Sequence, residues 1–303
     1  MKTLKKNYKL TSIATMLAFG AIFSCQVENE DSVSKIEATE QSELALTALS
    51  STVTNCTTAG QNSVRNIDIS NPVNVGKNDD RTCYSNYHET KVGATTYGNY
   101  NITTGSNQFG SRLQPRIERS LNRSNNKAGS YVQFKGTVRI LEVGDAGLDR
   151  DNGTYIAQAK GKHSKRPGAA TNDGSPDPAI CLFLAKPVYG LDKQGRRTQV
   201  SFDIYREQIN TRGGSGASGR KEVYLTNIKK GHPKAFELKV GFRNSNGKKV
   251  HYANAKIGTT NYYWNIPEPS RGLESGIRYG AYRVKGGRAR IQWANTTYVR
   301  VNK

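Results

Sequence analysis

"FELKVGF", residues 236 to 242, sets Phe236, Leu238, Val240 and Phe242 at alternate positions, with Glu237, Lys239 and Gly241 between them. A period of two sends the four apolar side chains to one side of an extended chain and the others to the opposite side. That is the signature of a β-strand with one buried face. The same alternation runs through "VQFKGTVRI" at 132–140 and "VSFDIY" at 200–205. Further β-rich runs at 221–228, 248–257, 259–265, 275–285 and 288–301 are separated by turn-forming residues. A helical period of useful length is confined to the neighbourhood of 40–50. About ten antiparallel strands in one domain suit an all-β jelly roll, two antiparallel sheets with a concave, basic substrate groove. "GGSGASG" at 213–219 reads as a flexible hairpin loop, and "HSKRPGAATNDGSPDP" at 163–178 as a long basic loop able to overhang the groove.

The chain opens with Lys2, Lys5, Lys6 and Lys9 and then the apolar run "LTSIATMLAFGAIFSC". A positive start followed by a short apolar stretch is an export signal, too short for a transmembrane helix. The small residue before Cys25 resembles a bacterial lipobox, which implies lipidation at Cys25 and attachment to the outer membrane; a simple cleaved secretory signal is the alternative. Residues 26 to 50 hold six acids, one lysine and no aromatic residue, too little apolar surface to order itself. The expected organisation is therefore a signal over 1–25, a disordered acidic tether over 26–55 and a jelly-roll domain over 56–303.

The whole chain carries a formal charge of +21. Setting aside +4 in residues 1–25 and −5 in residues 26–50 leaves +22 on residues 51–303. So basic an exported domain predicts a polyanionic partner, because clustered cations steer an acidic ligand into a cleft. Export and the lack of any nucleic-acid-binding motif argue against nucleic acid and for an acidic polysaccharide, met by a monomer. Of the remaining cysteines, Cys56 and Cys83 lie in turn-rich sequence and suit a disulfide, while Cys181 in "AICLFLAKPV" reads as a buried free thiol. His88, His163, His232 and His251 are scattered, which gives no metal spacing. Asp145, Asp149 and Asp151 in "GDAGLDRDNG" would serve a structural calcium, yet they lack EF-hand spacing and fit a polar turn better.

Three stretches share a polar face when alternate positions are read. "SRLQPRIER" presents Arg112, Gln114, Arg116 and Glu118, on a strand that Pro115 bends or places at an edge. "YIAQAKGK" at 155–162 presents Ile156, Gln158, Lys160 and Lys162. "GIRYGAYRV" at 276–284 presents Gly276, Arg278, Gly280, Tyr282 and Val284, with Tyr279 on the core side.

Taken together, "RLQPR", "QAK" and "IRYGAY" resemble, in order and face, the three motifs of the polysaccharide lyase family 7 alginate lyases: Arg-Ser/Thr-Glu-Leu-Arg, Gln-Ile-His and Tyr-Phe-Lys-Ala-Gly-x-Tyr. The motif glutamate is Gln114 here, the histidine is Lys160 and the lysine is Arg278. With lysine for histidine and so basic a balance, the region from about 60 to 303 is similar to polysaccharide lyase family 28, the ulvan lyases of marine Bacteroidetes.

That resemblance implies a jelly roll that cleaves a sulfated uronate polymer by β-elimination, with no cofactor. The C5 proton beside a charged carboxylate is not acidic, so cationic or hydrogen-bonding groups must hold that carboxylate and stabilise the developing dianion. Arg112, Gln114, Arg116 and Gln158 are placed for this. Lys160 is the expected base, crowded by cations that favour its neutral form, and Lys162, one pleat further on, is the alternative. Tyr282 takes the position of the tyrosine acid that protonates the leaving O4. Arg278, Arg288, Arg290 and Gln292 are expected to bind sulfate on neighbouring sugars. An alginate or glycosaminoglycan lyase of the same fold, or a non-catalytic module binding acidic polysaccharide at the cell surface, would share most of these features.

Overall fold

A computed structural model describes residues 75–80, 85–102, 116–145, 153–168, 179–213, 219–282 and 288–303. The export signal, Cys25, the tether, Cys56, Cys83, Arg112, Gln114, Asp149 and Asp151 lie outside the described residues.

The first eight strands are β1 (Lys77–Asp80), β2 (Ser85–Val92), β3 (Thr95–Ile102), β4 (Arg116–Ser120), β5 (Ser124–Asn125), β6 (Tyr131–Glu142), β7 (Thr154–Lys160) and β8 (Ala179–Leu191). After them come β9 (Arg197–Ile209), β10 (Arg220–Lys229), β11 (Lys234–Ser245), β12 (Lys248–Ile257), β13 (Thr260–Tyr262), β14 (Asn265–Ile266), β15 (Glu274–Tyr282) and β16 (Ala289–Val301). They form two antiparallel sheets, and the fold is the expected all-β jelly roll. The front sheet runs β1-β4-β15-β7-β8-β9-β10, with β5 on β15. The back sheet runs β13-β12-β11-β6-β16-β3-β2, with β14 on β12.

The sheets meet through the alternation that marked the sequence. Phe236, Leu238, Val240 and Phe242 of β11 are all buried. Aromatic rings interlock across the interface: Phe134 of β6 stacks on Tyr279 of β15 at 4.2 Å, and Phe183 of β8 meets Phe236 edge to face at 5.3 Å. Such pairs add to the burial of large apolar surface and fix how the sheets lie on each other. Cys181 is free and buried in this layer, where desolvation pushes its thiol up to about 12, as inert as its apolar sequence context suggested.

Several expectations change in detail. The strands are more numerous than ten, because short pieces such as β5, β13 and β14 join the sheets; the run at 259–265 breaks into β13 and β14. The strand read as 155–162 ends at Lys160, and Lys162 lies beyond it. Pro115 falls outside the described residues, and β4, which follows it, is no edge strand, since it sits between β1 and β15.

Candidate functional site

The site is built on the outer face of the front sheet, away from the inter-sheet core. On β4, Ile117 faces the core while Arg116 and Glu118 face outward. On β15, Ile277, Tyr279 and Ala281 are core residues, which leaves Arg278 and Tyr282 outward. On β7, Ala157 and Ala159 are core residues, and Gln158 and Lys160 take the other side. Gln158 stands directly opposite Arg278, Lys160 opposite Gly276, and Tyr282 between Tyr155 and Arg116.

The alternation slips once in β7. Both Ile156 and Ala157 pack in the core, and the pairing register shifts between Tyr155 and Ala157 against β8 and between Tyr279 and Tyr282 against β7. A bulge of this kind gives one strand an extra residue and re-aims the side chains beyond it. Its effect here is that Ile156, read from the sequence as part of the polar face, goes inside. Tyr155 takes its place beside Tyr282, the two ring centroids 5.3 Å apart.

Glu118 is the carboxylate at the centre of the patch. The Gln158 amide donates a short hydrogen bond to it, and Arg116 and Arg278 approach it at 3.7 and 3.8 Å. Gln158 is 1% exposed and Lys160 6% exposed, so both are largely withdrawn from water. Lys162 is different: its side chain is 48% exposed and pairs with Glu274 at 3.5 Å, which Arg123 also holds. The Arg116 guanidinium lies 4.4 Å over the Tyr282 ring. Burial raises the Tyr282 hydroxyl above its ordinary value, Arg116 pulls it back, and the phenol is protonated at neutral pH.

Next to Tyr282, the Tyr155 hydroxyl donates to Glu207 at 2.7 Å, and Arg220 faces the same carboxylate at 3.4 Å while donating to the Ala179 carbonyl at 2.7 Å. Tyr155, Glu207 and Arg220 were not singled out by sequence, and Glu118 was placed on the polar face without a role. Glu118 had a readable signal, since it shares a strand face with Arg116. Glu207 and Arg220 come from distant strands that no local spacing joins to β7.

Three of the expected sulfate ligands lie elsewhere. β16 belongs to the back sheet, where Ile291 and Trp293 face the core, so Arg290 and Gln292 point away from it on the opposite side of the molecule. Gln292 is fully buried and spoken for: it accepts from Arg139 at 2.7 Å and donates to Asn99 at 2.6 Å. Arg288 pairs with Glu142 at 3.1 Å. The sequence pattern of this strand does not tell which of the two sheets it joins. Asp145 accepts a short hydrogen bond from the Tyr189 hydroxyl, which gives it a structural partner.

The family model of the PL28 ulvan lyases matches residues 34–302. An endo-acting ulvan lyase of Formosa agariphila is 58% identical over 255 residues, 83% of this chain and 48% of that protein. An ulvan lyase of Nonlabens ulvanivorans is 58% identical over 246 residues, 79% of this chain and 45% of that protein. The chain thus spans about half the length of the curated relatives it matches. Among solved structures, a marine PL7 alginate lyase from Zobellia galactanivorans aligns at 13% identity over 71% of this chain and 81% of that one, with a TM-score of 0.47.

Proposed function

The chain belongs to the PL28 ulvan lyases, and from that premise we propose that it cleaves ulvan, a sulfated uronate-containing polysaccharide, by β-elimination. The observation that carries the reading is the gathering of Lys160, Gln158, Arg278, Arg116 and Tyr282 on one outer face of one sheet. Those are the groups the reaction requires, on three adjacent strands.

In the proposed reaction the uronate carboxylate lies against Gln158, with the Arg116 and Arg278 guanidinium groups lending positive charge as C5 loses its proton. Lys160 in its neutral form takes that proton; its withdrawal from water disfavours the charged ammonium. Tyr282, held protonated, gives its proton to O4 as the C4–O4 bond breaks, leaving a C4–C5 double bond and a new chain end. Lys160 and Tyr155 are five residues apart along β7, about 16 Å at the strand rise, and Tyr282 is the cross-strand neighbour of Tyr155. Lys162, half exposed and paired with Glu274, is the weaker candidate for the base. Cys25 would anchor the exported protein to the outer membrane.

The experiment is incubation of the protein with ulvan, alginate and heparin while ultraviolet absorbance of the unsaturated uronate is followed. Ulvan is expected to give a rising signal and the other two little. Binding of ulvan with no new absorbance would overturn the lyase reading and leave a surface-binding module.

A further inference from the structure

A single row of residues crosses the outer face of the front sheet. In the pairing register Tyr282 of β15 faces Tyr155 of β7, Tyr155 faces Leu184 of β8, Leu184 faces Tyr205 of β9, and Tyr205 faces Tyr224 of β10. These five residues on five neighbouring strands form a line perpendicular to the chain direction, and at the usual strand spacing it is about 19 Å long. We propose that this row is a track on which the polysaccharide lies, with Tyr205 and Tyr224 forming a subsite for a sugar remote from the point of cleavage. The inference rests on the lyase reading for the identity of the ligand.

The first part of the row is packed. Tyr155, Leu182 and Leu184 make a small apolar cluster outside the main core, with Tyr205 and Tyr282 against it. Cross-strand pairs of this kind stabilise a sheet whether or not anything binds. Sheet stability does not account for the far end. Tyr224 is 53% exposed, yet its ring meets Tyr205 edge to face at 5.6 Å and continues the line that starts at Tyr282. β10 is the edge of the front sheet among the described residues, so the row ends in an open aromatic surface.

The exposed part of the row is aromatic. Lys186, two residues along β8 from Leu184, holds its ammonium 5.1 Å from the Tyr205 ring and is paired with Glu222 at 2.7 Å, so it braces the ring and its charge is already answered. A tyrosine ring offers an apolar face to the C–H side of a pyranose. Two rings in line fit a sugar unit on a chain that runs back toward Tyr282, and a small isolated anion would have no use for them.

The test is affinity electrophoresis in gels containing ulvan, which reads binding without catalysis, on the wild type and on Tyr224→Ala, Tyr224→Phe and Tyr263→Ala. Tyr263 is 72% exposed and lies between β13 and β14, off the row, so it controls for loss of any exposed tyrosine. Tyr224→Ala is expected to weaken ulvan binding about fivefold or more, the size of effect that removing an aromatic contact residue has. Tyr224→Phe, which keeps the ring, and Tyr263→Ala should bind as the wild type does. Equal binding by Tyr224→Ala and wild type, or an equal loss in Tyr263→Ala, overturns the track. A wild type that releases no unsaturated product from ulvan would refute the lyase reading separately, and the electrophoretic comparison would still decide whether the row binds the polymer.

Discussion

Glu118 is a carboxylate held by the Gln158 amide and faced by the Arg116 and Arg278 guanidinium groups. Its charge keeps Arg116 and Arg278 together in a patch withdrawn from water. Glu118→Gln preserves the shape and removes the charge, leaving two like charges without their shared counter-ion. A loss of about 1–3 kcal/mol of stability is expected, seen as a lower thermal midpoint, and added sulfate should raise the midpoint of the variant more than that of the wild type. A second residue with a checkable consequence is His251, fully buried between β11 and β14 and stacked on Phe242. Arg212 can only donate, so it fixes Nδ1 as the acceptor at 2.6 Å, and Nε2–H donates to Ser275 Oγ at 3.0 Å. Burial, then Arg212 and Lys249, hold this histidine well below its ordinary range. An unfolded histidine takes up a proton near pH 6.5 while the folded one does not, so stability falls as pH drops through that value. His251→Gln keeps both hydrogen bonds without titrating, and its thermal midpoint should fall less than the wild type's between about pH 7.5 and pH 5.

At the scale of the element, the sequence was legible wherever alternation is unbroken. β11 and β12 lie where their patterns put them, and on β15 the alternation correctly separated Arg278 and Tyr282 from Tyr279. Reading failed where one residue is added. Nothing in "YIAQAKGK" announces that Ile156 and Ala157 both turn inward, and so the tyrosine beside Tyr282 was missed while an isoleucine was placed on the polar face. It failed also where a strand had to be assigned to one of two sheets: Arg290 and Gln292, expected to bind sulfate, belong to the back sheet. Gly280 is the backbone counterpart of the bulge. Its φ is +139°, and a Cβ there would stand 2.3 Å from the Ile117 carbonyl oxygen. Only glycine accepts that geometry without strain. Gly280→Ala is expected to cost about 1–3 kcal/mol and to lower turnover as well, because β4 and β15 carry Arg116, Glu118, Arg278 and Tyr282 on either side of it. Denaturant unfolding together with steady-state kinetics would check both effects; a variant as stable and active as the wild type would show that the strain is absorbed elsewhere.

At the scale of the whole molecule, the two sheets divide the work. The back sheet and the inter-sheet aromatic layer hold the front sheet in place, and the front sheet presents the groups proposed to react on its outer face. In the proposed function, the excess of positive charge on residues 51–303 attracts the polyanionic substrate before any specific contact forms. Added salt should therefore raise KM for ulvan much more than it lowers kcat, since screening acts on encounter and on exposed ion pairs; a KM indifferent to salt would contradict electrostatic capture. The central claim is that Lys160 and Tyr282 are the base and acid of a β-elimination. The direct measurement is turnover at saturating ulvan, read by unsaturated-uronate absorbance, for Lys160→Ala, Lys162→Ala and Tyr282→Phe beside the wild type. Lys160→Ala and Tyr282→Phe are predicted to lose about a hundredfold or more, the contribution of a positioned acid or base, while Lys162→Ala changes KM more than kcat. Near wild-type turnover in Lys160→Ala and Tyr282→Phe would contradict the account.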